Sequence, residues 1–355
     1  MNIYLKIYLD RNFGDDLMLY KFVGYFFYAT IYVHCENHML DFYSELLFKF
    51  KNVKLIECPL REIDAYGNGF FDYIVLLGGS TLQGNRYMGC WYRFLNCRLI
   101  KKQKQFGTKY AIIGCNTGPF KNKITKYFVK KELRCAEIVT TRDKNSFELI
   151  SFSTNISEIY YYPDILFDLS EKHSTCEGKK GLAISVYGPE TDNTVTFLAQ
   201  LCDCYIKKTG ENVKLICFDI GKENDVQAAD AVYALSGQKE KIDIIKHEPT
   251  CEQIISSIGS SRIVLAIRFH AAILAASLGI PFLTMSYSNK MRNFMKDINK
   301  ADKDTPINIV STLSPNDYLH ELLNNPVYPI NEWGENCNNH FIVLSDFINR
   351  NRRSS

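Results

Sequence analysis

The sequence predicts an α/β protein of two Rossmann-like domains with a ligand cleft between them, and three observations predict it. Short, continuous apolar runs alternate with helix-like segments, the pattern of a parallel sheet with helical crossovers. That pattern lapses in a polar stretch around Ser170–Lys180 and restarts at Gly181. The chain has 355 residues, and single cores usually divide beyond about 250–300 residues.

In the first half, Asn2–Leu9, Thr30–His34, Val53–Glu57, Tyr73–Leu77, Lys109–Ile113 and Glu137–Thr140 read as strands. The apolar stretch Phe22–Val33 reads as a buried helix running into a strand, being shorter than the ~20 residues of a membrane span. Ile124–Cys135 has helical spacing. In the second half, strands are expected at Gly181–Val186, Asn212–Phe218, Ile242–Lys246, Ile263–Ile267 and Phe282–Met285. Helices are expected at Thr194–Lys208, Asp225–Leu235, Cys251–Ser257 and His270–Leu278. The expected domains are 1–169 and 181–330, joined by a linker at 170–180 and followed by a closing helix and basic tail at 331–355.

Composition narrows the function. A net charge of +3 and a charged fraction of 23% argue against a dedicated nucleic-acid binder, which shows a basic face. The 12 cysteines are scattered and include no Cys-x-x-Cys pair, which argues against structural zinc and for a reduced, cytoplasmic chain. The N-terminus lacks the features of a signal peptide. Three arginines near the C-terminus, Arg350, Arg352 and Arg353, leave room for peripheral contact with the inner face of a membrane, although such a tail is usually just solvated.

The best-marked site element is Val264–Ile273, where a buried strand delivers Arg268, Phe269 and His270 into the first turn of a small-residue helix. Residues two apart in an extended segment share a side, so Arg268 and His270 are expected to face one ligand. A helix N-terminus and a guanidinium both suit a carboxylate or phosphate, and the imidazole adds an acid/base group. The alternative is that Arg268 pairs with a neighbour and His270 caps the helix. Downstream, Gly279-Ile280-Pro281 leads through a strand to a polar loop carrying Tyr287 and Lys290. No Asp or Glu occurs between Arg268 and Lys296, so Arg268, Lys290 and Arg292 read as uncompensated positive charge for an anionic donor. That reading weighs against a nucleotide-sugar site, which usually has a carboxylate for the ribose hydroxyls.

Four further loops follow predicted strands and are expected on the same cleft-facing edge. Arg142, in Thr141-Arg142-Asp143, is either a second anion clamp or half of a buried pair, and Asp143 reads as a helix cap. Phe13-Gly14-Asp15-Asp16 and Gly78-Gly79-Ser80 are turns whose glycines let backbone approach a ligand, and Asn116 lies in the loop Gly114–Pro119. Asp15 or Asp16 is expected to cap the helix behind it. None of these loops fits a phosphate-binding glycine pattern, and no metal motif is present.

Taken in order, the chain resembles the polysaccharide pyruvyl transferase family. The residues that carry the resemblance are Asn12-Phe13-Gly14-Asp15, Asp72 through Gly79, Gly114 through Pro119, Thr141-Arg142-Asp143 with Ser146, and Pro163-Asp164. They continue with Arg268-Phe269-His270, Gly279-Ile280-Pro281, and Tyr287 with Lys290. The sequence departs from the family at Gly78-Gly79-Ser80, where a triple glycine is usual, and at Arg11-Asn12-Phe13, both in the half expected to bind acceptor.

The resemblance implies a fold like the type B glycosyltransferases. It implies transfer of a pyruvyl group from phosphoenolpyruvate to two hydroxyls of a sugar, forming a cyclic ketal with no cofactor or metal. Arg268 and Arg142 would then bind donor, with Lys290 beside them, and His270 would be catalytic. Gly14, Asp15, Gly78, Gly79, Asn116 and Tyr287 would line the acceptor and cleft loops. The acceptor would be a sugar or a lipid-linked oligosaccharide. The competing readings are a type B glycosyltransferase using a nucleotide sugar and a non-catalytic glycan-binding protein.

Overall fold

The structure, a computed structural model, describes residues 1–79, 82, 87–118, 120, 122–151, 156, 158–167, 178–189 and 192–353, with the backbone alone at 87–89 and 353. Ser80, Thr81 and Pro119 of the expected loops and residues 170–177 of the expected linker lie outside the described residues.

The strands are β1 Asn2–Lys6, β2 Thr30–His34, β3 Val53–Ile56, β4 Tyr73–Leu77, β5 Lys109–Cys115, β6 Ile138–Thr141, β7 Glu158–Tyr161, β8 Leu182–Ser185, β9 Val213–Cys217, β10 Ile242–Lys246, β11 Ile263–Ala266, β12 Phe282–Ser286 and β13 Asp304–Pro306. The α-helices are α1 Phe13–Tyr25, α2 Leu40–Leu46, α3 Tyr87–Lys104, α4 Lys123–Leu133, α5 Lys144–Ser151, α6 Asp192–Thr209, α7 Asp225–Leu235, α8 Glu252–Gly259, α9 Phe269–Ser277, α10 Asn289–Asp297, α11 Pro315–Asn324 and α12 Asn339–Arg353.

They build two parallel sheets, ordered β3-β2-β1-β4-β5-β6-β7 and β10-β9-β8-β11-β12-β13. Each is a doubly wound Rossmann order in which winding reverses, between β1 and β4 and between β8 and β11. The central strands β4, β6, β8, β11 and β12 are buried at every residue, while the edge strands β3, β7 and β13 are only half-buried. Helices cover both faces of such a sheet, so its inner strands carry unbroken apolar runs instead of alternation. That is why these strands were legible.

The chain divides into two compact units: residues 1–9, 15–165 and 336–355, and residues 10–14 and 166–335. These bounds differ from the expected ones in two places. The closing helix belongs with the first unit, because α12 buries Phe341, Leu344, Phe347 and Ile348 and packs on β5 and β6. Its Arg350, expected in a basic tail, is helical and pairs with Glu158 at 2.7 Å. Asp10–Gly14, expected in the first domain, belongs with the second unit. There Phe13 is fully buried with its ring 5.1 Å from that of Phe218, and its amide donates to the Phe218 carbonyl.

The eleven described cysteines form no disulfide, and nine are buried. No helix among the described residues is long and apolar enough to cross a membrane.

In the first unit α12 also inserts His340. Its Nδ1 lies 2.7 Å from Thr140 Oγ1 and its Nε2 lies 2.9 Å from the Pro163 carbonyl. Burial lowers its pKa from 6.5 to about 4. The native ring therefore stays neutral where the unfolded ring charges, so His340 contributes stability above pH 6.5 that is lost as pH falls towards 4. The expected loss across that window is roughly 3 kcal/mol. Urea midpoints measured against pH should show that dependence in the wild type and a shallower one in His340→Gln.

Candidate active site

The second unit gathers its polar residues where its winding reverses. At the end of β8, Ser185 Oγ accepts the amides of Ile267 at 2.9 Å and Arg268 at 3.0 Å, which fixes the exit of β11. Arg268 is the N-cap of α9, in extended conformation. All nine residues of α9 are buried, four of them alanines, so the helix packs closely enough to set Arg268 rigidly.

The Arg268 guanidinium meets carboxylates from the loop after β9 and the start of α7. Its Nε donates to Asp225 Oδ2 at 3.0 Å, Nη2 donates to Asp225 Oδ1, and Nη1 donates to Glu223 Oε2. Tyr287 Oη lies 3.5 Å from Nη1, and the Tyr187 ring centroid lies 4.7 Å from the guanidinium carbon. Tyr187 and Tyr287 are stacked, with centroids 3.7 Å apart. Burial alone works against the charge on Arg268, but Tyr287, Asp225 and Glu223 overcome it and hold its pKa well above the ordinary value.

Asp225 is the hub of this network. It is fully buried and also accepts the amides of Gly188 at 2.8 Å, Phe218 at 3.0 Å and Asp219 at 2.9 Å. Asp219 in turn accepts Asn12 Nδ2 at 3.0 Å and the amides of Gly221 and Glu223. Burial pushes the Asp219 carboxyl above the usual carboxylate range, with Asn12 and Arg268 acting against it.

Asn12 thus ties the 10–14 loop to this network, and its Oδ1 accepts the Gly14 amide at 3.2 Å as the cap of α1. The capping expected of Asp15 or Asp16 is done by Asn12; both aspartates sit in the first turn, and Asp16 accepts the Tyr43 hydroxyl at 3.0 Å. Gly14 runs against His270: a Cβ built on it would lie 1.6 Å from Nδ1 of that imidazole. Only a residue without a side chain permits this approach.

Several expectations change. Arg268 is internally paired, the alternative weighed for it, and its neighbourhood is not uncompensated. The carboxylates come from 43 and 45 residues away in sequence, beyond the window in which their absence was noted. Nearby, Ser286 Oγ donates to Asp304, and Arg292 donates to the same hydroxyl at 3.3 Å. The helix begins at Phe269, so His270 is helical and the extended-strand argument for its side does not apply. Lys290, expected on a polar loop, is half-buried in the first turn of α10. Sequence reasoning missed Ser185, Tyr187, Asp219, Glu223 and Asp225. The one available signal was that Asp219 and Tyr187 each follow the end of a strand.

In the first unit, Arg142 forms the buried pair that was the alternative to an anion clamp. Its side chain is 1% exposed, with Nη1 donating to Asp164 at 2.8 Å and Nη2 to Asn116 Oδ1 at 3.0 Å. The structure thereby joins three motifs into one lock and commits Asn116 to it as well. Asp143 caps α5 as expected, accepting the Ser146 amide at 2.9 Å, while Ser146 Oγ accepts the Thr117 amide at 2.9 Å. Gly78 and Gly79 adopt φ of 57° and 71°, and a Cβ on Gly78 would lie 2.6 Å from Met18 Sδ. Gly78 is therefore held by local packing, and both glycines by a left-handed turn. Gly79 meets this cluster through its carbonyl, which accepts the Asn116 amide at 3.4 Å.

Two doubly wound parallel units, one with a fixed cation at its switch point, define a GT-B-like protein. Solved structures similar to the chain show the same fold. The UDP-GlcNAc 2-epimerase of Neisseria meningitidis bound to UDP-GlcNAc is 12% identical at a TM-score of 0.65, over 98% of this chain and 100% of that one. The Methanocaldococcus jannaschii UDP-GlcNAc 2-epimerase in complex with UDP-GlcNAc and UDP is 10% identical at 0.63, over 98% and 99%. The S. aureus MnaA–UDP structure is 11% identical at 0.61, over 98% and 96%. No curated protein sequence matches the chain. Within this fold the chain belongs to the polysaccharide pyruvyl transferase family, whose model matches residues 12–289.

The two carboxylates on Arg268 differ in exposure, which sets their expected contributions. Asp225→Ala leaves a buried guanidinium without its fixed partner and should cost about 3–5 kcal/mol in urea unfolding. Glu223 is 40% exposed, so Glu223→Ala should cost no more than about 1 kcal/mol. Equal losses would contradict this hierarchy.

Proposed function

We propose that this chain transfers the pyruvyl group of phosphoenolpyruvate to two hydroxyls of a sugar in a polysaccharide or its precursor, forming a cyclic ketal and releasing phosphate. The observation that carries the reading is the exit of β11. There, in a chain of this family, a guanidinium is fixed at the switch point and followed two residues later by an imidazole in the first turn of α9.

The donor's carboxylate or phosphate takes the outer nitrogen of Arg268 and displaces the half-exposed Glu223, while Asp225 keeps the guanidinium in place. Lys290 supplies a second cation, and the N-terminal amides of α9 favour the same anion. His270, protonated, gives its proton to the methylene carbon of the donor. One sugar hydroxyl attacks the cationic central carbon and loses its proton, phosphate leaves, and the second hydroxyl closes the ketal with loss of its own proton. General acid assistance of this kind is typically worth ~10²–10⁴-fold. Gly14, against the imidazole, sets its orientation.

One observation favours a second reading. Glu223 is a partly exposed carboxylate beside the site, the kind of group that holds ribose hydroxyls in a nucleotide-sugar site.

Phosphate release from phosphoenolpyruvate with glycan acceptors present should fall at least about a hundredfold in both Arg268→Ala and His270→Ala. Gly14→Ala, which forces the imidazole to move, should lower turnover with folding retained. Near-wild-type turnover in the first two variants would remove the assignment. A thermal shift with nucleotide sugars and none with phosphoenolpyruvate would select the second reading.

A further inference from the structure

The neighbouring helices α3 and α4 of the first unit carry an exposed face that contributes none of the site residues described above. On α3, Trp91, Phe94, Arg98 and Lys101 recur at helical spacing, and on α4 so do Lys123, Tyr127, Lys130 and Arg134 just beyond its end. Trp91 is 62% exposed and Tyr127 60% exposed, with Tyr92 and Ile124 also exposed. Ring contacts join the two helices: Trp91 stacks on Phe94 at 5.6 Å, Phe94 meets Phe128 at 6.4 Å, and Phe128 meets Tyr127 at 5.3 Å.

The charge on this face has one sign. The sequence of α3 contains no acidic residue, and that of α4 contains only Glu132. Glu132 is turned inward, its side chain 1% exposed and paired with the buried Arg93 at 2.5 Å. Lys102 and Lys104 pair with Asp64 and Glu137. Among the described residues, no ion pair engages Arg98, Lys101, Lys123, Lys126 or Lys130. A net charge of +3 for the whole chain makes so many basic residues without exposed acids on two adjacent helices a local concentration, not a general bias.

We propose that the α3–α4 face docks peripherally on an anionic lipid bilayer. Trp and Tyr seat at the headgroup level while lysines and arginines meet anionic headgroups. Phe94 itself is not open to a stacking base, because it has Trp91 against it and the Lys131 ammonium 5.3 Å from its ring centroid. Each lysine near an anionic surface strengthens attachment about fivefold, so the face binds reversibly and in a salt-sensitive way. This inference stands apart from the donor chemistry.

The test is co-sedimentation of the full chain with vesicles of phosphatidylcholine alone and with vesicles containing phosphatidylglycerol. Wild type should sediment with the anionic vesicles, release at high salt, and stay in solution with the neutral ones. Lys123→Ala/Lys126→Ala/Lys130→Ala should weaken anionic binding on the order of a hundredfold, and Trp91→Ser/Tyr127→Ser should also weaken it, both with unchanged unfolding temperature. In a Trp333→Phe background, Trp91 fluorescence should shift to the blue on anionic vesicles. The proposal is overturned by wild type that ignores anionic vesicles or sediments equally with both kinds. It is also overturned by folded variants that bind like wild type, or by capture on a single-stranded oligonucleotide or acidic peptide instead of vesicles.

Discussion

The pairing of Asp225 with Arg268 is the contact from which the second unit's site is built. Taking a guanidinium out of water is costly unless a matching anion accompanies it and the remaining donors and acceptors are satisfied. Asp225 meets both conditions. Two of its bonds go to Arg268, and three go to backbone amides at Gly188, Phe218 and Asp219. One carboxylate thus fastens the exits of β8, β9 and β11 to each other at the place where ligands bind in such sheets. The outer nitrogen of Arg268 is left to Glu223, which is partly exposed.

The same physics gives Arg142 the opposite role. Asp164 and Asn116 take its two terminal nitrogens in the interior, so it welds loops together. Two arginines after strands in the same chain look alike in a motif. They differ in the exposure of their partners, for Glu223 is partly exposed and Asp164 is buried. The Asp143, Ser146 and Thr117 bonds extend the Arg142 lock, so this run of family motifs serves to hold the strand exits of the first unit.

The 10–14 loop shows how a short motif can serve more than one purpose. Phe13 anchors it beside Phe218, Asn12 caps α1 and holds Asp219, and Gly14 supplies the space His270 occupies. Replacement of any one disturbs a different contact. The α3–α4 face follows a separate logic: its only acid is consumed inside, which leaves the outside basic and aromatic.

Strands and fold class could be read from the linear chain because burial on both faces of a parallel sheet leaves continuous apolar runs. Tyr73–Leu77, buried at every residue, has its expected ends for that reason. The arginine, the imidazole and the glycine turns were likewise visible, since each is marked by its immediate neighbours. Their partners were not. Asp225 and Glu223 lie 43 and 45 residues from Arg268, Asp164 lies 22 residues from Arg142, and the 10–14 loop belongs with a unit that otherwise begins at Leu166. Charge pairing weakens steeply beyond contact range, and which charges come within that range is set by strand order. A stretch that looks unopposed along the chain can therefore be neutralised once the sheet is assembled.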